Sequence, residues 1–168
     1  MAELNVEPWL RGTLTEVSAV SRGVMHALEL AQEDATKWCA GLSDAEMNER
    51  PLGLPPVAFQ LCHIARSLDR LLSYAEGEQL SSEQIAALKS EMDDGATTDE
   101  VFTEFSRAIE ASMNRVKAMA LADLDQPRVV GKKRLPTTLG GLLVHVADHT
   151  QRHIGQAITT AKVLLARR

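Results

Sequence analysis

Residues 139–164 read LGGLLVHVADHTQRHIGQAITTAKVL, and this stretch decides the fold. Leu139, Leu143, Val146, Ala157, Ala161 and Leu164 recur at the three- and four-residue spacing of one helical face. So long an apolar stripe must be covered by other elements. The segment also carries His145, His149 and His153, three of the five histidines in the chain. Side chains four residues apart on a helix stand one above the other, about 6 Å up the axis. Two imidazoles so placed can reach one metal ion. His145 and His153 start about 12 Å apart, whereas a metal–nitrogen bond spans about 2 Å. The ladder therefore offers one adjacent pair, 145/149 or 149/153, and a usable site needs a further ligand from elsewhere.

A helical wheel centred on the apolar stripe puts His153 about 50° from the centre, His149 about 90° and His145 about 130°. The 149/153 pair borders the core, and His145 turns toward solvent. Gln156 points much the same way as His149. Gly155 falls on the far face, where a missing side chain could let another element approach.

Three further long helices can be read outward from this one. Helix one is expected from about Pro8 into the low thirties, with the stripe Leu10, Leu14, Val17, Ser21, Val24, Met25, Leu28 and Gln32. A separate short segment, ATKWCAGL, ends near Gly41. In SDAEMNERPLGLPP, Ser43 and Glu46 have capping-box spacing ahead of a proline-rich loop. Helix two starts near Pro55 or Pro56 and runs to Tyr74 or Ala75, before Gly77. Its stripe is Val57, Leu61, Ile64, Ala65, Leu68, Leu72 and Ala75. LSSEQIAALKSEMDDG reads as a short helix capped by Ser81 or Ser82 and stopped at Gly95. Thr97 or Thr98 caps helix three, with Val101, Phe105, Ala108, Ile109, Ser112, Val116 and Met119 inward. LADLDQPRVVGKKRLPTT breaks the pattern and suits a short hairpin around Gly131. Thr137 or Thr138 then caps helix four. The expectation is an all-α fold in one domain over 1–168. It is a four-helix bundle with one extra short helix in the crossover between helices two and three.

Composition narrows the function classes. The chain is 45% hydrophobic and 24% charged, as in a soluble globular domain. The net charge is −5 and no basic run is interleaved with aromatics, which argues against nucleic acid. No apolar run is long enough for a bilayer span. MAELNVEPWLRGTL lacks a basic start and an apolar signal core, so a cytoplasmic location is expected. Cys39 and Cys62 make no disulfide framework and read as small buried hydrophobes.

The other candidates are less constrained by spacing. His26 lies about 150° from the stripe of helix one and His63 about 140° from that of helix two, so both read as exposed. Phe59 and Tyr74 share the flank of His63, with Ser67 beside them. That smaller apolar patch permits His63 as a ligand without demanding it. Cys62 sits about 100° round from His63, and Asp148 about 100° from His149. Asp93, Asp94, Asp99 and Glu100 read as a solvated loop and cap. Lys132, Lys133 and Arg134 read as loop surface, with an anion clamp over a pocket as the functional alternative.

LCHIARSLDRLL in helix two, followed by HVADHTQRHIGQ in helix four, resembles the DinB-like metalloenzyme family. The family pattern is a His in helix two and H-x-x-x-H-x-G-Q in the last helix, here His149, His153, Gly155 and Gln156. The resemblance covers most of the chain, including GLSDAEMNERP; Ile154 departs from it, standing where many members carry Arg. It implies a four-helix bundle that binds one divalent transition metal through His63, His149 and His153, zinc or nickel being the first candidates. Three neutral imidazoles leave a coordination position open. The family includes thiol-dependent S-transferases and a maleylpyruvate isomerase. The expected function is therefore a metal-dependent enzyme that transfers a small thiol to an electrophile. The alternatives are a metal-dependent hydrolase and a non-catalytic metal-binding stress-response or interaction module. Phe59, Tyr74 and Gln156 are the candidates for lining the pocket or supporting the ligands. The expected partner is a small molecule, with a low-molecular-weight thiol as the candidate, and a homodimer is the candidate assembly.

Overall fold

The computed structural model describes residues 6–90 and 95–168. Six α-helices occur among them: α1 (Ala19–Cys39), α2 (Asp44–Asn48), α3 (Val57–Ala75), α4 (Ser82–Lys89), α5 (Thr98–Ala118) and α6 (Leu139–Leu165). A hairpin of β1 (Pro127–Val130) and β2 (Leu135–Thr138) precedes α6. Helices two, three and four of the sequence reading are α3, α5 and α6. The expected short crossover helix is α4.

The four long helices pack side by side, α6 against α1 and α3, and α5 against α3 and α1. Their apolar stripes meet in one core. Phe105, Leu28, Leu61, Ile64, Leu72 and Leu143 are fully buried in it. Three helix starts follow local chemistry. Ser43, Ser81 and Thr97 each accept a bond from the backbone N–H three residues on, while Glu46, Gln84 and Glu100 return one. Such reciprocal caps satisfy donors that a helix start otherwise leaves unpaired. Thr138 caps α6 by accepting from the Gly141 N–H. Gly140 gives a close approach just inside it: a Cβ there would crowd Leu124 at 3.2 Å. The Gly140 N–H donates to the Leu124 carbonyl at 2.8 Å, which fixes the entry to α6.

Helix one differs from its expected bounds at both ends. Pro8–Leu10 is only a 3-10 turn, and α1 begins at Ala19. Positive φ at Gly12 (68°) and Leu14 (57°) turns the chain between them. Leu10 is exposed and Leu14 half-buried, so the stripe is not continuous. At its other end α1 runs on through ATKWC to Cys39. Ala31, Ala35 and Cys39 continue its buried face at four-residue spacing, and no breaker intervenes before Gly41. α4 ends at Lys89 rather than at Gly95. Part of the expected helix end, and the acidic residues Asp93 and Asp94, lie outside the described residues, as does the start of the N-terminal segment. Among the described residues no helix is long and apolar enough to cross a membrane.

Candidate metal centre

The site lies on the seam between α3 and α6. His63 projects from the middle of α3, and His149 and His153 from the middle of α6. Each offers a ring nitrogen, and these atoms lie within 4.8 Å of one another. His63 Nε2 and His149 Nε2 are 3.3 Å apart. Two nitrogens that share a tetrahedral metal at about 2.0–2.1 Å stand about 3.3–3.4 Å apart, so this spacing fits one ion. The rings crowd together, with centroids 4.4 Å apart for His63 and His153 and 4.5 Å for His149 and His153. All three are half-buried.

Protonation suits a ligand set as well. Burial pushes His149 down to about 4, and charge on His153 or His63 would push the same way. Its imidazole is therefore neutral at pH 7, as a ligand must be. A hydrogen bond sets the tautomer of His153. Its Nδ1 donates to Gln60 Oε1 at 2.7 Å, and Gln60 Nε2 donates to Gln156 Oε1 at 2.9 Å. The second bond orients the Gln60 amide with its carbonyl toward His153. A carbonyl only accepts, so the proton sits on Nδ1 and the lone pair on Nε2. Partners of this kind orient metal-ligating imidazoles and raise their basicity.

Gln60 is the residue that the sequence reading missed. It is fully buried, three residues after Val57 and four before Ile64, within the apolar stripe of α3. A polar amide at a core position is the signal that could have revealed it. Gln156 supports the site through Gln60 and is itself exposed.

The remaining candidates divide. Phe59 stacks on His63, centroids 5.5 Å apart and planes 24° apart. Tyr74 is buried and lines a cavity of about 300 Å³ beside His63 and His149. Leu71, Leu80 and Arg70 complete much of its wall. His145 also lines this cavity but is not in the group of three. Its side chain is 44% exposed, and its Nδ1 lies 3.0 Å from Asp148 Oδ2. Asp148 also accepts from Arg152 at 2.6 Å. Lys132, Lys133 and Arg134 occupy the exposed hairpin turn and are not in the cavity wall. Cys62 is buried and outside the group of three.

Two wheel readings need correction. His26 is 6% exposed, not at the surface, because the chain ahead of α1 folds back and sets Thr13 Oγ1 3.2 Å from its Nε2. His63 is half-buried because α6 covers its flank of α3. Gly155 lies on the outer face as the wheel placed it, but among the described residues no element approaches within 4 Å of where a Cβ would be.

The family model of the DinB superfamily matches residues 27–157, a span that takes in α3, α5 and all three clustered histidines. The chain belongs to the DinB superfamily. No curated relative matches it.

Proposed function

We propose that this DinB-superfamily protein holds one divalent transition metal, zinc or nickel, at His63, His149 and His153 and transfers a small thiol to an electrophile. The observation that carries the reading is the convergence of three imidazole nitrogens beside a cavity sized for a small molecule. When bound, such a metal supplies a Lewis acid that lowers the pKa of a thiol at its open position. The residues of the chain do the rest. Gln60 holds the His153 ring in one tautomer. Leu71, Tyr74 and Leu80 give the ligand an apolar wall. Asp148, the acidic neighbour of His149, is engaged by His145 and Arg152. This supports thiol transfer, which needs no carboxylate base, over hydrolysis. One observation favours hydrolysis: His145, whose Nδ1 lies 3.0 Å from Asp148 Oδ2, lines the cavity.

The test is to mix metal-loaded protein with monochlorobimane and a panel of low-molecular-weight thiols. Adduct formation is expected above the uncatalysed rate, and His153→Ala is expected to abolish the gain. No acceleration, together with metal-dependent ester or amide cleavage, moves the protein to the hydrolases. No turnover in either assay, with metal still bound, favours a binding module.

A further inference from the structure

Most polar side chains of the cavity wall are already engaged, and one hydroxyl is not. His63 and His149 belong to the centre. Ser67 Oγ accepts from Arg70 Nη2 at 2.9 Å, and His145 Nδ1 lies 3.0 Å from Asp148 Oδ2. Tyr74 lines the same cavity and is only 8% exposed. Its hydroxyl has no hydrogen-bond partner among the described residues, yet it is not sealed off from solvent. A phenol so buried normally finds a partner. The cavity is the space beside it from which one can come.

We infer that the Tyr74 hydroxyl hydrogen-bonds the far end of the small molecule held at the three imidazoles, and so selects ligands with an extended, polar-ended arm. The inference rests on the reading of the site as a metal centre that takes a small thiol. Tyr74 follows His63 on α3 by three turns, about 16 Å along the axis. Side chains on a helix lean toward its N-terminus, so the phenol reaches back along the cavity toward the centre. The gap that remains exceeds a single contact. A ligand that joins both ends therefore needs an arm of several atoms. Between the ends, Leu71, Leu80 and Leu88 give an apolar wall, which suits methylene groups. The cavity of about 300 Å³ is at the small end of ligand pockets, so it favours a slender arm over a bulky one. A phenol both donates and accepts, and a carboxamide at the end of the arm matches it in either sense.

The experiment titrates cobalt-loaded protein with two series of thiols of graded chain length, ω-mercaptoalkanamides and the matching methyl-ended alkanethiols. A thiolate–cobalt charge-transfer band reports the sulfur end, and calorimetric affinity reports both ends. The amides are expected to show an optimum chain length in the wild type. Tyr74→Phe keeps the ring and removes only the hydroxyl. It should weaken the best amide about three- to tenfold relative to its matching alkanethiol, as for one hydrogen bond, and abolish the optimum. Equal weakening of both series, or none, overturns the contact, and if the band persists the thiol reading still stands. Plain alkanamides separate the two readings in the other direction. If they bind with the same Tyr74 dependence while no thiol gives the band, the contact is supported and the thiol reading falls. No binding by any probe overturns both. If Tyr74→Phe does not fold, Tyr74→Met, which also lacks the hydroxyl, takes its place.

Discussion

α6 shows a different face to each of its two main neighbours. Toward α1 the contact rests on small and aliphatic groups, with Leu28, Ala31 and Ala35 fully buried on α1. Gln151 Nε2 adds one bond to the Ala27 carbonyl at 2.7 Å. Toward α3 the middle of the seam is polar, with Gln60, His63, His149 and His153 in mutual contact. Polar groups on a helix seam cost stability unless they are hydrogen-bonded. The α1 seam holds the bundle together, whereas the α3 seam gives up apolar packing for a site. Changes on the first should read out as stability, and changes on the second as metal and ligand binding.

The largest expected effect on stability tests the first half of that contrast. Leu28→Ala leaves a cavity in the α1 seam and should cost about 2–5 kcal/mol in urea denaturation of the apo protein. Zinc affinity of the folded fraction should stay near wild type. A loss of affinity matching the loss of stability would mean that the two seams are not separable.

Gln60→Leu tests the second half. It removes the acceptor for His153 Nδ1 and lets the ring change tautomer. Zinc affinity should fall about 10- to 100-fold, measured against a competing chelator. Apo stability should change little, because an apolar group of similar volume replaces a buried amide. Unchanged affinity would show that Gln60 is packing alone.

The same seam sets a pH dependence. Folded His149 titrates near 4, against about 6.5 in an unfolded chain. Between these values the unfolded state binds more protons, so its contribution makes folding less favourable as pH falls from about 6.5 toward 4. Above about 6.5 it contributes no slope. The prediction is that His149→Leu flattens this acid limb in apo-protein denaturation curves. An unchanged limb would place the titrating group elsewhere.

Much of this contrast can be read in the chain, and the parts that cannot have physical causes. The stripes of α3, α5 and α6 are long and keep one period from end to end, so spacing located these helices to within a residue or two. Helix one misled because Leu10 and Leu14 continue the period by chance, while Gly12 and Leu14 adopt positive φ and stop the helix. Spacing also found the 149/153 pair, since both residues sit on one helix. It could not bring His63 to them, because a wheel measures distance from one helix's own stripe and ignores the helix that covers it. The same blindness misplaced His26. Gln60 escaped because its partners, His153 and Gln156, lie across a seam and not near it in sequence.

The smallest expected effect returns to α6. Thr150 Oγ1 is buried and has no hydrogen-bond partner among the described residues. Thr150→Val keeps the shape and removes an unsatisfied hydroxyl, so it should stabilise by about 1 kcal/mol. A lower melting temperature would mean that the hydroxyl has a bound partner.

The central claim is that His63, His149 and His153 share one ion and that His145 does not. Zinc titration of tag-free apo protein, with metal content measured after dialysis, tests it most directly in the wild type and in the His145→Ala and His149→Ala variants. The account predicts one zinc per chain in the wild type and in His145→Ala, and none in His149→Ala. Equal loss in both variants, or no stoichiometric zinc in the wild type, would contradict it.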